Sequence, residues 1–404
     1  MANVILITID AIRRDMFGSY GNPQNLTPFI DSLSNQSLLF LKAQSSGPYT
    51  QAAFPGLLAS SQYLEYGKPG LLSGQRILIS EVLKRAGIKT AGFHSNPYLS
   101  SYFGWNRGWD VFYDSLEDEV SPKQPYIKGD AINRKVTEWL FSHTAAKSYC
   151  PFFLWVHYMD VHEPYVPERK YLDFVDPSVT LSEGEMFKLF QETVVPQDVT
   201  DKEKIGLLKT LYSAHVREVD HYIQELVRHL EHMNILNDST MIITSDHGDE
   251  FNEHGGLSHQ DKMYSELIDI PLVIYGAKQR GVSDRLVSNV DIPATVVHLF
   301  GLDPVDGFQG VSLLPTSDYP EKGCFGEALF QVKGKGGDLK RDVYYYREED
   351  LKIIHRGDLD SWEMYDLKED PRELNSITDS HESAEALKAK LRPRVRRWEK
   401  ATPK

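Results

Sequence analysis

The sequence predicts an α/β protein: a large, mostly parallel sheet sandwiched by helices, followed by a small C-terminal antiparallel sheet and a helix. Three observations carry this expectation. Short β-rich apolar runs alternate with segments of helical period, polar groups come directly after each run, and the pattern changes beyond about Pro315. At 404 residues the chain has room for two to three domains, or one large domain with an appendage. The division reads as a main domain over 1–315, with 167–200 inserted in it, and a smaller α+β unit over 316–404.

The apolar runs are Val4 to Ile9, Thr90 to Phe93, Phe152 to His157, Thr240 to Thr244 and Pro271 to Tyr275. They are short and bounded by turn residues, as strands buried on both faces are. The longest helical pattern runs from about Lys204 to Met233, with Ile205, Leu208, Leu211, Tyr212, Val216 and Val219 at steps of three or four. The stretch 167–200 is polar and holds Pro177 and Pro196, which marks an excursion. Val343 to Tyr346, Leu351 to His355 and Trp362 to Leu367 read as closely connected antiparallel strands, and Glu382 to Lys400 as a charged helix.

Composition narrows the partners. The 44 basic and 58 acidic side chains leave a net charge of −14, which argues against general affinity for nucleic acid or anionic lipid. Two cysteines, Cys150 and Cys324, are too few for a disulfide framework, so a reducing, cytoplasmic setting is expected. The N-terminal apolar run has no basic flank and is too short to span a bilayer. It reads as a strand rather than a signal peptide, and no other run reaches membrane-crossing length.

In open parallel sheets ligands bind beyond the carboxyl ends of the strands, so the residues just after each run carry the functional information. Asp10 comes after the first run, His94, Ser95 and Asn96 after the second, His157, Asp160 and His162 at the end of the third, and Asp246-His247-Gly248 after the fourth. Two carboxylates and an imidazole at neighbouring strand ends are good ligands for a divalent cation. His157 and His254 read as residues that shape the loops.

Several ordered motifs then match a known pattern. They are Ile5 to Asp15, Thr27 to Leu33, Pro151 to Pro167, Thr244 to Asp249 with Glu253-His254-Gly255, Asp291 to Thr295 and Met364 to Leu367. On these residues the chain resembles the sulfatase branch of the alkaline phosphatase superfamily, over nearly all its length. The resemblance implies an alkaline phosphatase-like fold and a metal held by Asp10, Thr50, Asp246 and His247. It places the nucleophile in the segment Tyr49 to Ser60. True sulfatases carry there a C-x-P-x-R signature whose cysteine becomes formylglycine, whereas this chain has Thr50, Ala52 and Phe54 at those positions. Neither Cys150 nor Cys324 lies in such a signature.

Threonine there resembles superfamily members that attack with an unmodified hydroxyl, among them phosphodiesterases and phosphonate hydrolases. A metal-bound hydroxyl is acidified toward an alkoxide, and Thr50 precedes a short helix whose amides can help hold an anion. The resemblance gives His259 and His162 the roles of charge stabilisation and protonation of the leaving oxygen, and it brings Asn96 against the substrate. Arg13 either orients the metal loop through a salt bridge or helps reverse the acidic field. Alternatively Asp160, His162 and His259 hold a second metal. The first strand ends in one aspartate followed by Ala11 rather than in an aspartate pair, so manganese, zinc, magnesium and calcium all remain open.

The expectation is a metal-dependent hydrolase or transferase of small anionic esters that works through a Thr50 adduct. Phosphoesters, phosphodiesters and phosphonate monoesters rank ahead of sulfate esters. The alternatives are a sulfatase without formylglycine, a two-metal phosphomutase-like enzyme and a non-catalytic binding relative.

Overall fold

The structure, a computed structural model, describes residues 3–67, 70–144, 150–334 and 337–399. Its main sheet is built from β1 (Asn3–Ile9), β2 (Leu38–Gln44), β3 (Lys89–Phe93), β4 (Val111–Tyr113), β5 (Phe152–Tyr158) and β6 (Ser239–Ser245). After a two-stranded hairpin, β7 (Glu250–Phe251) with β8 (Leu257–Ser258), the main sheet is completed by β9 (Asp269–Ile270), β10 (Leu272–Tyr275) and β11 (Gly281–Ser288). The strand order is β11-β2-β10-β6-β1-β5-β3-β4, with β9 paired to β2. All five apolar runs singled out in the sequence are strands, and β10 is the one that runs antiparallel to β6.

Every residue of β1 is buried, because helices cover both faces of the sheet. Ile5, Ile7 and Ile9 enter one core with Leu208, Leu211 and Val219 of the Lys202–His232 helix. Val4 and Leu6 enter the other with Phe54, Leu57 and Val296. The parallel register sets Thr8 beside His157 and Ile9 beside Ser245, so the residues beyond the ends of β1, β5 and β6 emerge at one edge.

The structure adds detail to one expectation and adjusts another. The 167–200 excursion contains helices at Arg169–Val175 and Glu183–Thr193, the second opened by a Ser182–Glu185 capping box. The C-terminal helix is shorter than 382–400 and spans Ala384–Leu391. Pro393 has no amide hydrogen with which to extend the helical bonding beyond Arg392. Among the described residues no helix is long and apolar enough to cross a membrane.

The C-terminal sheet has the order β12 (Cys324–Gly334), β13 (Gly337–Glu348), β14 (Leu351–Arg356) and β15 (Ser361–Asp366), all antiparallel. It is fastened to the main sheet near the helix that carries Thr50. Tyr345 donates its hydroxyl to the Ser45 carbonyl at 2.7 Å, and Tyr49 donates to the Leu329 carbonyl at 3.1 Å. Lys352 and Glu373, both fully buried, pair at 2.6 Å, and Glu373 also accepts the Ser265 amide at 2.6 Å.

Removing one partner of a buried ion pair leaves an uncompensated charge, whereas removing both does not. Lys352→Ala is expected to cost ~3–5 kcal/mol in urea unfolding. Lys352→Met combined with Glu373→Leu should recover most of that loss. A loss for the single variant no larger than for the double would show that the buried ion pair does not stabilise the C-terminal unit.

Candidate active site

Asp10 leaves the end of β1 fully buried. Its Oδ2 accepts the Asn96 side-chain amide at 2.9 Å and the Thr50 hydroxyl at 3.4 Å, and it meets His157 Nε2 at 3.1 Å. Burial alone would raise this carboxyl. The His157 hydrogen bond and the fields of His162 and His247 outweigh burial and hold it well below the usual carboxylate range. The next residue, Ala11, sits at φ 57°, in the left-handed region that non-glycine residues avoid. From there its amide points to Asp246 Oδ1 at 3.3 Å.

Asp246 and His247 come off the end of β6. Asp246 Oδ1 accepts the amides of Ala11 and His247, the latter at 2.9 Å, which leaves Oδ2 free. His247 Nδ1 lies 3.0 Å from the Gly248 carbonyl. That contact assigns the proton to Nδ1 and leaves a lone pair on Nε2. Burial, followed by the field of His259, pulls His247 down to about 4, so the ring is neutral at ordinary pH. Gly248 is required here, because a Cβ would lie 2.1 Å from the Glu266 carbonyl oxygen.

Three atoms result with no hydrogen-bond partner among the described residues: Asp10 Oδ1, Asp246 Oδ2 and His247 Nε2. The imidazole nitrogen lies 3.5 Å from the first and 3.4 Å from the second. Burial and the nearby Asp10 charge push Asp246 up to about 7, which expresses the repulsion between two dry carboxylates. A divalent cation fits this donor set, two carboxylate oxygens and one imidazole nitrogen, and would satisfy all three atoms together.

Thr50 is the first residue of the Thr50–Ala59 helix and is buried at the rim of that cluster. Asn96 positions it: Nδ2 lies 3.3 Å from Thr50 Oγ1, while Oδ1 is fixed by the Tyr98 amide at 2.9 Å.

Opposite stand His162 and His259, their ring centroids 5.0 Å apart. His259 Nδ1 bonds Asp249 Oδ1 at 2.8 Å and faces Glu163 Oε2 at 3.7 Å. Burial lowers His259, but the Glu163 charge and the Asp249 hydrogen bond carry it up to about 10, so it remains protonated at neutral pH. His162 is also raised against its burial, chiefly by Glu163 and Asp10.

The structure thus brings together Asp10, Thr50, Asn96, His162, Asp246, His247 and His259. Asp160 is not part of that group: its Oδ1 accepts the amide of Gly129, the first residue of the Gly129–Thr144 helix, at 3.0 Å. The third group beside His162 and His259 is Glu163. Of the two roles open to Arg13, the salt bridge is the one observed. It pairs with Asp15 at 2.7 Å and Glu253 at 2.9 Å and donates to the Asp249 carbonyl at 3.0 Å.

Three residues contribute more to the site than their sequence positions suggest. His157 is more than a loop-shaping residue, since in β5 it lies beside Thr8, in reach of the Asp10 carboxylate. Asp249 accepts both His259 and the Tyr165 hydroxyl, the latter at 2.6 Å. Glu163 has only its place next to His162 as a signal.

The chain is similar to known proteins over nearly all its length. A family profile described as "Sulfatase" matches residues 2–302, and one described as "N-sulphoglucosamine sulphohydrolase, C-terminal" matches residues 252–401. An N-acetylglucosamine-6-O-sulfatase of Bacteroides thetaiotaomicron is 31% identical, with 96% of this chain and 84% of that protein aligned. An arylsulfatase of Clostridium perfringens is 22% identical over 95% of this chain and 92% of its own. Among solved structures, a protein bound to its substrate D-glucosamine-2-N,6-O-disulfate superposes with TM-score 0.80 at 19% identity, covering 100% of this chain and 99% of that one. The phosphonate monoester hydrolase of Agrobacterium radiobacter gives TM-score 0.76 at 18% identity, covering 100% and 96%.

If the three unpartnered atoms are cation ligands, adding Mn²⁺ or Ca²⁺ to metal-stripped protein should raise its melting temperature, since binding to the folded state alone stabilises it. The rise should vanish in Asp246→Asn. An equal rise in that variant would place the cation elsewhere.

Proposed function

The chain belongs to the sulfatase family of the alkaline phosphatase superfamily and is a hydrolase of ester bonds, and from that premise we propose that it is a metal-dependent sulfuric ester hydrolase with Thr50 as nucleophile. The observation that carries the proposal is the Thr50 hydroxyl at the rim of three buried, unpartnered ligand atoms. Thr50 by itself ranks phosphoesters first, whereas the names of the relatives support sulfate esters, and we follow the relatives.

Asp10, Asp246 and His247 would hold the cation, which when bound supplies positive charge that acidifies a hydroxyl and offsets the anionic oxygens of the ester. The residues of the chain do the rest. Asn96 holds Thr50 Oγ1 in place, and Asp10 Oδ2 accepts a hydrogen bond from the hydroxyl, which loses its proton to solvent. Oγ1 bonds to sulfur as the ester S–O bond breaks, and the electron pair of that bond leaves on the alcohol oxygen, which takes a proton from His259. Water then attacks sulfur and the S–Oγ1 bond breaks. His259 recovers a proton from the water, Oγ1 takes a proton from solvent, and hydrogen sulfate departs. Protonated His259, with His162 beside it, offsets charge on the non-bridging oxygens.

Thr50 favours a second reading, a phosphoester or phosphonate monoester substrate. A carbon bearing a single hydroxyl cannot expel the bound anion itself, so the adduct is released only by attack at the central atom. Phosphorus accepts such attack more readily than sulfur.

A panel of 4-nitrophenyl sulfate, phosphate, phenylphosphonate and a phosphodiester separates the readings. The metal-loaded protein should turn over the sulfate fastest, and Thr50→Ala should lose about 10³-fold or more in kcat. Fastest turnover of a phosphorus ester would select the second reading, and undiminished turnover in Thr50→Ala would remove the nucleophile. His259→Ala should slow an alkyl sulfate by about 10²–10⁴-fold. It should slow 4-nitrophenyl sulfate much less, because that leaving group needs no proton. Equal slowing would mean that His259 is not the acid.

A further inference from the structure

Next to the Thr50 helix, and apart from the ligand cluster, lies a cavity of about 270 Å³ lined by Gln51, Tyr63, Tyr66, Arg76, Tyr98 and Trp105 among others. Two of these residues tie it to the site. Gln51 is the neighbour of Thr50 on the helix, and Tyr98 donates the amide that fixes Asn96, which in turn reaches Thr50 Oγ1. Five aromatic rings, Phe103 among them, supply flat apolar faces of the kind on which a ring compound packs. Tyr98 is 49% exposed, so the cavity opens to solvent on that side.

At its wall stands Arg76, only 4% exposed. Its guanidinium donates to the Ser61 hydroxyl and, at 3.1 Å each, to the carbonyls of Gln62 and Tyr63, and it lies 5.0 Å from the Tyr66 ring centroid. No carboxylate among the described residues reaches it at ion-pair distance. Of those nearby, Glu65 pairs with Arg397 at 2.9 Å, and Glu327 accepts the Leu64 amide. Burial draws Arg76 down only to about 10, so it is charged at neutral pH. A buried cation without a counter-charge is costly, and the cost is relieved by an anion that enters the cavity.

We propose that this cavity is the leaving-group subsite and that it takes a ring alcohol bearing a second acidic substituent, with the ring against the tyrosines and the acid at Arg76. The proposal rests on the ester-hydrolase reading of the Thr50 site and adds the class of alcohol released. It makes the acidic substituent, rather than ring size alone, the feature by which substrates are sorted.

The test uses product alcohols, so it requires no turnover. Calorimetric titration of the metal-loaded protein with 4-hydroxybenzoate and with phenol should show the acid binding about tenfold tighter or more, as a charge-assisted contact gives. Tyr98→Ala should weaken 4-hydroxybenzoate severalfold, and Arg76→Gln should erase its advantage over phenol. 4-Hydroxybenzoate should also compete with whichever 4-nitrophenyl ester the protein hydrolyses. Equal affinities for the two alcohols on the native protein would overturn the proposal even if Arg76→Gln failed to fold, and binding without competition would overturn the placement beside Thr50. Failure of every ester in the substrate panel, with the binding preference intact, would instead count against the hydrolase reading.

Discussion

The structure depends on a placement that is unfavourable without a cation: two carboxylates and an imidazole with their free atoms turned toward one another in a dry strand edge. Such a cluster repels itself. Part of the repulsion is managed by the chain, through the hydrogen bonds from His157 and Asn96 to one oxygen of Asp10 and from the Ala11 and His247 amides to one oxygen of Asp246. Each carboxylate is thereby oriented so that its remaining oxygen faces the same point. The strained backbone at Ala11 and the missing side chain at Gly248 belong to the same arrangement, since both bring backbone closer than an ordinary residue in relaxed geometry permits.

Much of this is legible in the sequence because burial on both faces writes itself as uninterrupted apolar residues. Val4 to Ile9 and Phe152 to His157 could hardly be anything but central strands, and a parallel sheet delivers the residues after them to one edge. β2 and β11 are not legible in the same way. Leu38–Gln44 holds three leucines with one lysine, one alanine and one glutamine, all of which favour helix in isolation, and Gly281–Ser288 is an edge strand with few apolar positions. β12 escapes for a similar reason, as its glycines and polar residues interrupt any apolar run.

At the site, the metal-ligand candidates and Thr50 are readable from strand ends and motif order, while the groups that support them are not. Asp160 looks as suitable as Asp10, but a helix N-terminus claims it. Glu163 and Asp249 act by facing His259 from loops far apart in sequence, a relation that no spacing reveals. The same limit applies to Arg76, whose significance lies in the lack of a carboxylate partner among the described residues and in the aromatic cavity around it.

The proposed mechanism turns on one covalent event, in which a side-chain hydroxyl beside the ligand cluster carries the anion between two half-reactions. Rapid acid quench of metal-loaded enzyme during turnover, followed by mass spectrometry of the peptide containing Thr50, reads this directly. A sulfo or phospho group on Thr50, appearing with substrate and chased away by excess unlabelled ester, is the predicted result. Steady turnover with that peptide unmodified at every quench time, and with ¹⁸O from solvent entering the product in a single direct displacement that inverts a chiral sulfur or phosphorus centre, would contradict it.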